Sequence, residues 1–163
     1  MEVEQPITLP EQAGEDLIQI KKHFTINLLN SWLKEDEELF SDYDVCSMFG
    51  SLERFIFCLF NQRHDILGLV AIIYANSYVN ASKKLFTRTQ IAYILTIAAW
   101  TAAKFWEDDV IKISKVSELT DIPVEKLYNM QLKFLETIQW NLMIHPEDEF
   151  VKSIVKIWSK FFA

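Results

Sequence analysis

The sequence predicts an all-α protein, and three observations lead to this fold class. Only three glycines and four prolines occur among the 163 residues, which leaves few positions for the tight turns of hairpins. Leu, Ile, Lys, Glu and Phe are plentiful, a balance that favours long helices. Half of the residues are hydrophobic, and apolar residues recur at three- and four-residue spacing, so amphipathic helices can bury one shared core.

The N-terminal part, residues 1–44, is predicted to hold one helix and a linker. In residues 15–33 the apolar positions share one face of a helix, which we expect to pack on the main domain as an accessory element. Residues 34–44 are rich in acids, too charged for a core, and are predicted to be a linker. The compact domain is therefore expected to begin near Val45.

Two helices are predicted next. The second helix opens the compact domain and ends at the polar residues 61–64. The third begins near Asp65, which can serve as a cap, carries an apolar run and extends to about Tyr78. Residues 80–86 are predicted to form the loop after it.

The fourth predicted helix, over residues 88–107, is expected to be the central and most buried one. Thr87 and Gln90 have the spacing of a capping box, in which each side chain bonds the backbone N–H of the other residue. The helix is apolar nearly all round, and it carries small residues that allow other helices to approach closely. These small residues are Ala98, Ala99, Ala102 and Ala103.

Prolines mark the predicted starts of the last two helices. Residues 114–119 allow only a short helix, and Pro123 then opens a longer one that is expected to end near Asn141. In residues 145–149 a proline followed by three acids repeats the start signal, here for a last helix that includes Phe150, Trp158 and Phe161. The predicted organisation is residues 1–44 as accessory helix and linker, residues 45–142 as a five-helix domain, and residues 143–163 as a C-terminal flanking helix.

Charge and cysteine usage narrow the class of partner. Sixteen basic against 23 acidic residues leave a formal charge of −7, the wrong sign for neutralising phosphates, so nucleic acid is not an expected ligand. Cys46 and Cys58 fit no disulfide or metal spacing and are expected to be buried thiols of an intracellular protein. The N-terminus lacks a signal core, and the longest apolar runs are too short to span a membrane. We expect the cytoplasm or the nucleus as the compartment.

Convergent catalytic groups are not found in the sequence. His23, His64 and His145 are far apart and have no metal-ligand spacing, so no metal site is expected. Isolated glycines give no phosphate-binding loop, so no nucleotide cofactor is expected either. The acidic triplet 107–109 is interpreted as a solvated helix end. We therefore expect a binding protein without enzymatic activity.

Four segments resemble helices of the cyclin box. Residues 101–109, TAAKFWEDD, with the following residues 115–127, KVSELTDIPVEKL, resemble the third and fourth helices of that box. Residues 127–142, LYNMQLKFLETIQWNL, resemble its fifth helix, and residues 67–76, LGLVAIIYAN, its second. The similarity covers about residues 45–142 and is closest to the cyclin Y and Pho80-like groups. It implies a cyclin-box fold and a role as activating subunit of a cyclin-dependent protein kinase, with other regulatory proteins as further partners.

The resemblance also implies a binding face. In cyclins the third and fifth box helices form a groove for the kinase's regulatory helix, and a Lys and a Glu fasten that helix by its backbone. The matching positions are Lys104 and Gln131, and this sequence departs from the family in having the neutral amide, which cannot make the roughly twofold stronger charge-assisted bonds of a carboxylate. The apolar contact positions match Phe105, Leu135, Trp140 and Leu142.

A second, weaker match concerns substrate docking. Residues 48–55, MFGSLERF, are similar in spacing to the cyclin patch that docks substrate peptides, with Met48, Leu52 and Phe55 at its apolar positions. This segment lacks the Arg of that patch and has Phe55 where the patch has Trp. Two alternatives to an activating cyclin remain: a cyclin-fold adaptor or transcription factor similar to TFIIB, and a box that binds a kinase without activating it, as Gln131 suggests.

Overall fold

The computed structural model describes residues 22–60, 65–107 and 110–159, with the side chains of Asp65, Trp158 and Ser159 excepted. These ranges form seven helices and no strand, so the predicted all-α class is confirmed. The bounds are residues 22–31 for α1, Asp42–Phe60 for α2, Asp65–Ser82 for α3, Arg88–Trp106 for α4, Ile113–Thr120 for α5, Val124–Thr137 for α6 and Glu149–Ser159 for α7.

Helix α4 lies at the centre, where α2, α3 and α6 all pack against it. The four alanines predicted to allow close approach have no exposed surface, and Trp100 between them is 1% exposed. The predicted capping box is present: Gln90 N donates to Thr87 Oγ1 over 3.2 Å, and Thr87 N donates to Gln90 Oε1 over 2.9 Å. A cap of this kind contributes about 1 kcal/mol to helix stability.

Helix α3 is longer than predicted. It continues through the expected end at Tyr78 to Ser82, because the hydroxyls of Ser77 and Ser82 donate to the carbonyls of Ile73 and Tyr78 one turn earlier. Polar side chains satisfied in this way do not terminate a helix. The helix ends where Lys83 adopts a φ of 54°, so the predicted loop of residues 80–86 is shortened from its N-terminal side.

The acidic segment after α1 contributes to the core, contrary to the prediction from its charge. Phe40 is 4% exposed, its backbone N donates to Asn30 Oδ1 over 2.8 Å, and the Arg88 guanidinium lies 4.8 Å from its ring centroid. Leu33 pairs with Phe86 in an isolated parallel bridge. The ring of Phe40 therefore anchors a segment whose charged side chains mostly remain in solvent.

Helix α2 begins three residues earlier than Val45 because Ser41 and Asp44 cap it reciprocally. Asp44 N donates to Ser41 Oγ over 3.2 Å, and Ser41 N donates to Asp44 Oδ2 over 3.0 Å. The bonds that Ser41 N and Ser41 Oγ donate to the Asp44 carboxylate, together with an ion pair of 2.8 Å to Arg88, lower the pKa of that carboxyl below 3.8. Because Arg88 is the first residue of α4, its ion pair with Asp44 links the capped start of α2 to the start of α4.

Two further expectations need correction. Cys46 is exposed and Cys58 is only half-buried, since Val45 and its heptad-spaced neighbours on α2 take the core positions and rotate the cysteines outward. Helix α7 begins at Glu149 instead of at the proline, because the Asp148 carboxylate accepts from Phe150 N over 2.8 Å and thereby caps the helix. Phe161 and the side chain of Trp158 lie outside the described residues.

The flanking helices share a small second cluster. Ile72 and Ile73 of α3 pack against Val151 and Ile154 of α7, and the ring centroid of Phe24 of α1 lies 6.2 Å from that of Phe150 of α7. The first part of the predicted N-terminal helix lies outside the described residues. In the part of the chain that the structure describes, no helix has the length and hydropathy needed to cross a membrane.

Candidate partner-binding face

Lys104 and Gln131 are in contact where α4 ends against α6. Lys104 Nζ donates to Gln131 Oε1 over 3.1 Å. Gln131 is only 7% exposed, and its Nε2 donates to Thr101 Oγ1 over 3.3 Å, while that hydroxyl donates to the Ile97 carbonyl over 2.7 Å. The amide is therefore held in one orientation by α4, with its oxygen directed at the lysine.

The Lys104 ammonium is exposed and keeps binding capacity. It lies 5.3 Å from the centroid of the Trp100 ring and in the last turn of α4, where a cation is favoured by the helix dipole. An ammonium has three donors, and Gln131 takes one of them. Within the described residues no carboxylate pairs with Lys104, so its remaining donors and its charge are available to a ligand.

Exposed aromatic and apolar side chains lie at the same two chain segments. Phe105 and Trp106 follow Lys104 directly, are 50% and 46% exposed, and meet edge to face with ring centroids 5.8 Å apart. Trp140, beyond the end of α6, is 59% exposed, and Leu135 and Leu142 are half-buried against the core. We call these residues with Lys104 and Gln131 the α4–α6 face.

A turn with left-handed backbone conformation places Trp140 at the surface. Helix α6 ends at Thr137, earlier than the predicted end near Asn141, and Gln139 and Trp140 have φ values of 56° and 59°. Two consecutive non-glycine residues in this region cost about 1 kcal/mol each. The turn is closed by Trp140 N, which donates to the Leu135 carbonyl over 2.8 Å. The chain reverses there, and the indole faces solvent.

Tyr74 fastens this turn to the rest of the molecule. Its hydroxyl donates to the Leu142 carbonyl over 2.7 Å and accepts from Trp106 Nε1 over 2.7 Å. Tyr74 is 1% exposed; burial raises the pKa of its hydroxyl, and the bond from Trp106 opposes that rise. One α3 side chain thus joins the end of α4 to the segment after α6.

Sequence reasoning missed Tyr74 and Trp106 as residues of this face. Both bonds of Tyr74 span long stretches of sequence, so no local spacing marks them. The available signal is general: a tyrosine within a continuous apolar run is buried and needs a partner for its hydroxyl.

The predicted docking residues on α2 border a different surface. Leu52 is buried, Met48 and Phe55 are half-buried, and all three line a groove of about 640 Å³ between α2 and α4. Tyr43 stands at its edge and is 80% exposed. The structure thus brings Met48, Leu52 and Phe55 together, away from Lys104.

No cluster of three or more His, Cys, Asp or Glu side chains suited to a metal ion occurs in the described ranges. Of the acidic triplet, Asp108 and Asp109 lie outside those ranges. No protein-family model, curated protein or solved structure matches the chain. The class that the fold defines is therefore an all-helical protein, whose candidate site is an exposed apolar face beside one available lysine.

Proposed function

We propose that the chain is a regulatory subunit that binds a protein kinase of the cyclin-dependent class and receives the kinase's regulatory helix on the α4–α6 face. The observation that carries the proposal is the Lys104–Gln131 contact. These two residues, which the resemblance to cyclins pairs across a binding groove, are 3.1 Å apart at their polar atoms. Exposed rings at Phe105 and Trp140 lie on the segments that follow each of them.

Apolar contact supplies most of the affinity. Phe105 and Trp140 each leave about half of their surface to be buried by a partner, and aromatic anchors of this kind contribute roughly 2 kcal/mol or more each. Their positions are prepared in the unbound chain, since the left-handed turn and Tyr74 hold the segment of residues 138–142. Little ordering entropy is then lost on binding.

Of the two polar residues on the face, Lys104 rather than Gln131 is able to bind a ligand. Gln131 is only 7% exposed, gives one of its two Nε2 hydrogens to Thr101 and accepts from Lys104 at its oxygen, so the exposed donors left for a ligand are those of the ammonium. An ammonium suits the free carbonyls at the C-terminal end of a docked helix, where the dipole is negative. If only the active arrangement of the kinase presents its helix in this way, binding selects that arrangement.

Co-purification tests the binding. The chain, immobilised, is offered a panel of purified cyclin-dependent kinases, and Lys104→Glu and Leu135→Arg are each expected to reduce capture about tenfold or more, because each places an unfavourable charge inside the contact. Lys112→Glu and Leu39→Arg make the same changes at exposed residues that are not part of the face and are expected to capture normally. Capture that survives both α4–α6 substitutions would place the kinase elsewhere.

A kinase assay separates binding from activation. A captured kinase that phosphorylates a model substrate faster with the chain than alone supports an activating subunit. A captured kinase whose rate is unchanged supports the alternative of a box that binds without activating. Gln131→Glu, which restores the carboxylate of the family, is then expected to raise the rate if the neutral amide limits the clasp.

A further inference from the structure

A second apolar cleft lies between α4 and α6, with a volume of about 190 Å³. Its floor is aromatic: Tyr78 and Phe134 stack with centroids 5.0 Å apart and planes within 8°, and Phe86 closes one end. Tyr93, 37% exposed, and the half-buried Met130 form the walls. A water molecule occupies about 30 Å³ in the liquid, so the cleft has room for one large apolar side chain.

Three lysines surround this cleft. Lys84 and Lys133 line it, and Lys126 lies with its ammonium 5.7 Å from the ring centroid of Tyr93. Lys84 likewise lies 5.3 Å from the ring centroid of Phe86. None of the three pairs with a carboxylate of the described residues, and no acidic side chain lines the cleft.

This local charge opposes the charge of the whole chain. The formal net charge is −7, yet two lysines line the cleft and a third lies against Tyr93 of its wall. A general polyanion such as nucleic acid is repelled by the remaining surface and has no row of phosphate contacts to follow. Complementarity therefore favours a small ligand that combines one apolar group with flanking negative charges.

The cleft is separate from the α4–α6 face. Around α6, Lys133 lies about 160° from Leu135, because successive residues of a helix differ by about 100°. The cleft is lined from α6 by Met130, Lys133 and Phe134, and no residue of the α4–α6 face lines it. A ligand in the cleft leaves Lys104 accessible.

We propose that this cleft docks an acidic linear segment of a partner protein, whose central aromatic or leucine side chain enters between Tyr78, Met130 and Phe134 while its flanking carboxylates meet Lys84, Lys126 and Lys133. Met130 is unbranched and adapts to either anchor. The carboxylate contacts fix the register of the segment, and the apolar anchor supplies the affinity. The proposal does not depend on binding of a kinase.

Methionine NMR locates the ligand. The chain has four methionines, and three of them report on different surfaces: Met48 on the groove beside α2, Met130 on the lysine-rimmed cleft and Met143, 66% exposed, near the α4–α6 face. With ¹³C-methyl methionine in the full chain, the peptide Glu-Glu-Asp-Phe-Leu-Glu-Asp-Glu is expected to shift the Met130 signal and leave Met48 and Met143 in place. A shift at Met48 or Met143 without one at Met130 overturns the proposal.

Fluorescence anisotropy with the same peptide, labelled with fluorescein, measures the affinity. Lys84→Glu combined with Lys133→Glu is expected to weaken binding about tenfold, as two exposed ion pairs become repulsions. Lys112→Glu, at a residue that does not line the cleft, is expected to change the affinity less than about twofold. Circular dichroism establishes that the variants are folded. Absence of saturable binding, or equal losses in the double variant and the control, overturns the proposal.

Two control peptides test the chemistry. Replacing Phe-Leu by Ser-Ser removes the anchor, and replacing all acids by lysine reverses the charge; both are expected to abolish binding. If the Ser-Ser peptide still bound, charge alone would account for the binding, and the proposed role of an apolar anchor would be refuted. The variant that combines Lys84→Glu with Lys133→Glu is expected to capture the kinase as well as the wild-type chain does. Failure of the peptide to bind and failure of the kinase to bind are therefore independent results.

Discussion

Replacing Tyr74 by Phe tests how the α4–α6 face is held together. The substitution keeps the buried ring and removes the hydroxyl that bonds both the Leu142 carbonyl and Trp106 Nε1. Each hydrogen bond contributes about 0.5–1.5 kcal/mol net, so we expect a loss of about 2 kcal/mol in the free energy of unfolding. For a chain of this size that is a fall in Tm of about 4–8 °C.

Urea denaturation followed by circular dichroism measures this loss, and Tyr78→Phe is its matched control. Tyr78 is also buried and stacks on Phe134, but its hydroxyl has no hydrogen-bond partner among the described residues. Its removal is expected to change stability by less than about 0.5 kcal/mol. Equal effects of the two substitutions would refute the role assigned to the Tyr74 hydroxyl.

The same hydroxyl gives a pH signature at the alkaline end. Burial raises the pKa of Tyr74 above the 10.0 of an unfolded tyrosine. As pH rises from 10.0 toward the raised value, the unfolded chain loses this proton while the folded chain keeps it, so stability falls. The stability difference between the wild-type chain and Tyr74→Phe is therefore expected to shrink above pH 10.0; a constant difference would contradict the assignment.

Three further predictions follow from the packing around α4. Asp44→Asn is expected to destabilise the chain near neutral pH but not in acid, because a pKa lowered below 3.8 gives stability that is lost as pH falls through it; urea curves at several pH values measure this. Thr87→Ala is expected to cost about 1 kcal/mol by removing the capping box, whereas Thr89→Ala, exposed on the same turn, is expected to cost less than about 0.5 kcal/mol in the same assay. Ala102→Leu is expected to reduce the free energy of unfolding by about 1–3 kcal/mol, because Ala102 has no exposed surface and a larger side chain would overpack the core. Thermal unfolding measures the resulting fall in Tm, and an unchanged Tm would contradict close packing around Ala102.

The central helix could be predicted because its signals are local. The capping box lies within four residues, and the apolar run of α4 is matched by the continuous burial of residues 97–103. The end of α5 and the start of α6 followed from residues near Pro123 in the same way. The pairing of Lys104 with Gln131 came from the resemblance to cyclins and from no spacing rule, and the two side chains are in contact in the structure.

The features that could not be predicted depend on contacts between distant segments. Phe40 lies in an acidic stretch and is buried because Asn30 and Arg88, which are remote in sequence, hold it. The turn at Gln139 and Trp140 contains no glycine to mark its left-handed backbone. The helix pattern therefore predicted an end near Asn141, whereas α6 ends at Thr137 and Trp140 lies in the turn that follows.

Helix α6 connects the two surfaces described above. Its buried stripe, Leu127, Phe134 and Ile138, anchors the helix, so that both flanks emerge partly exposed and rigidly related to one another. A kinase on the Leu135 flank and an acidic segment on the Lys133 flank could therefore be bound at once. If both belonged to one assembly, the second contact would be intramolecular, and its effective concentration would raise the affinity without any new interaction.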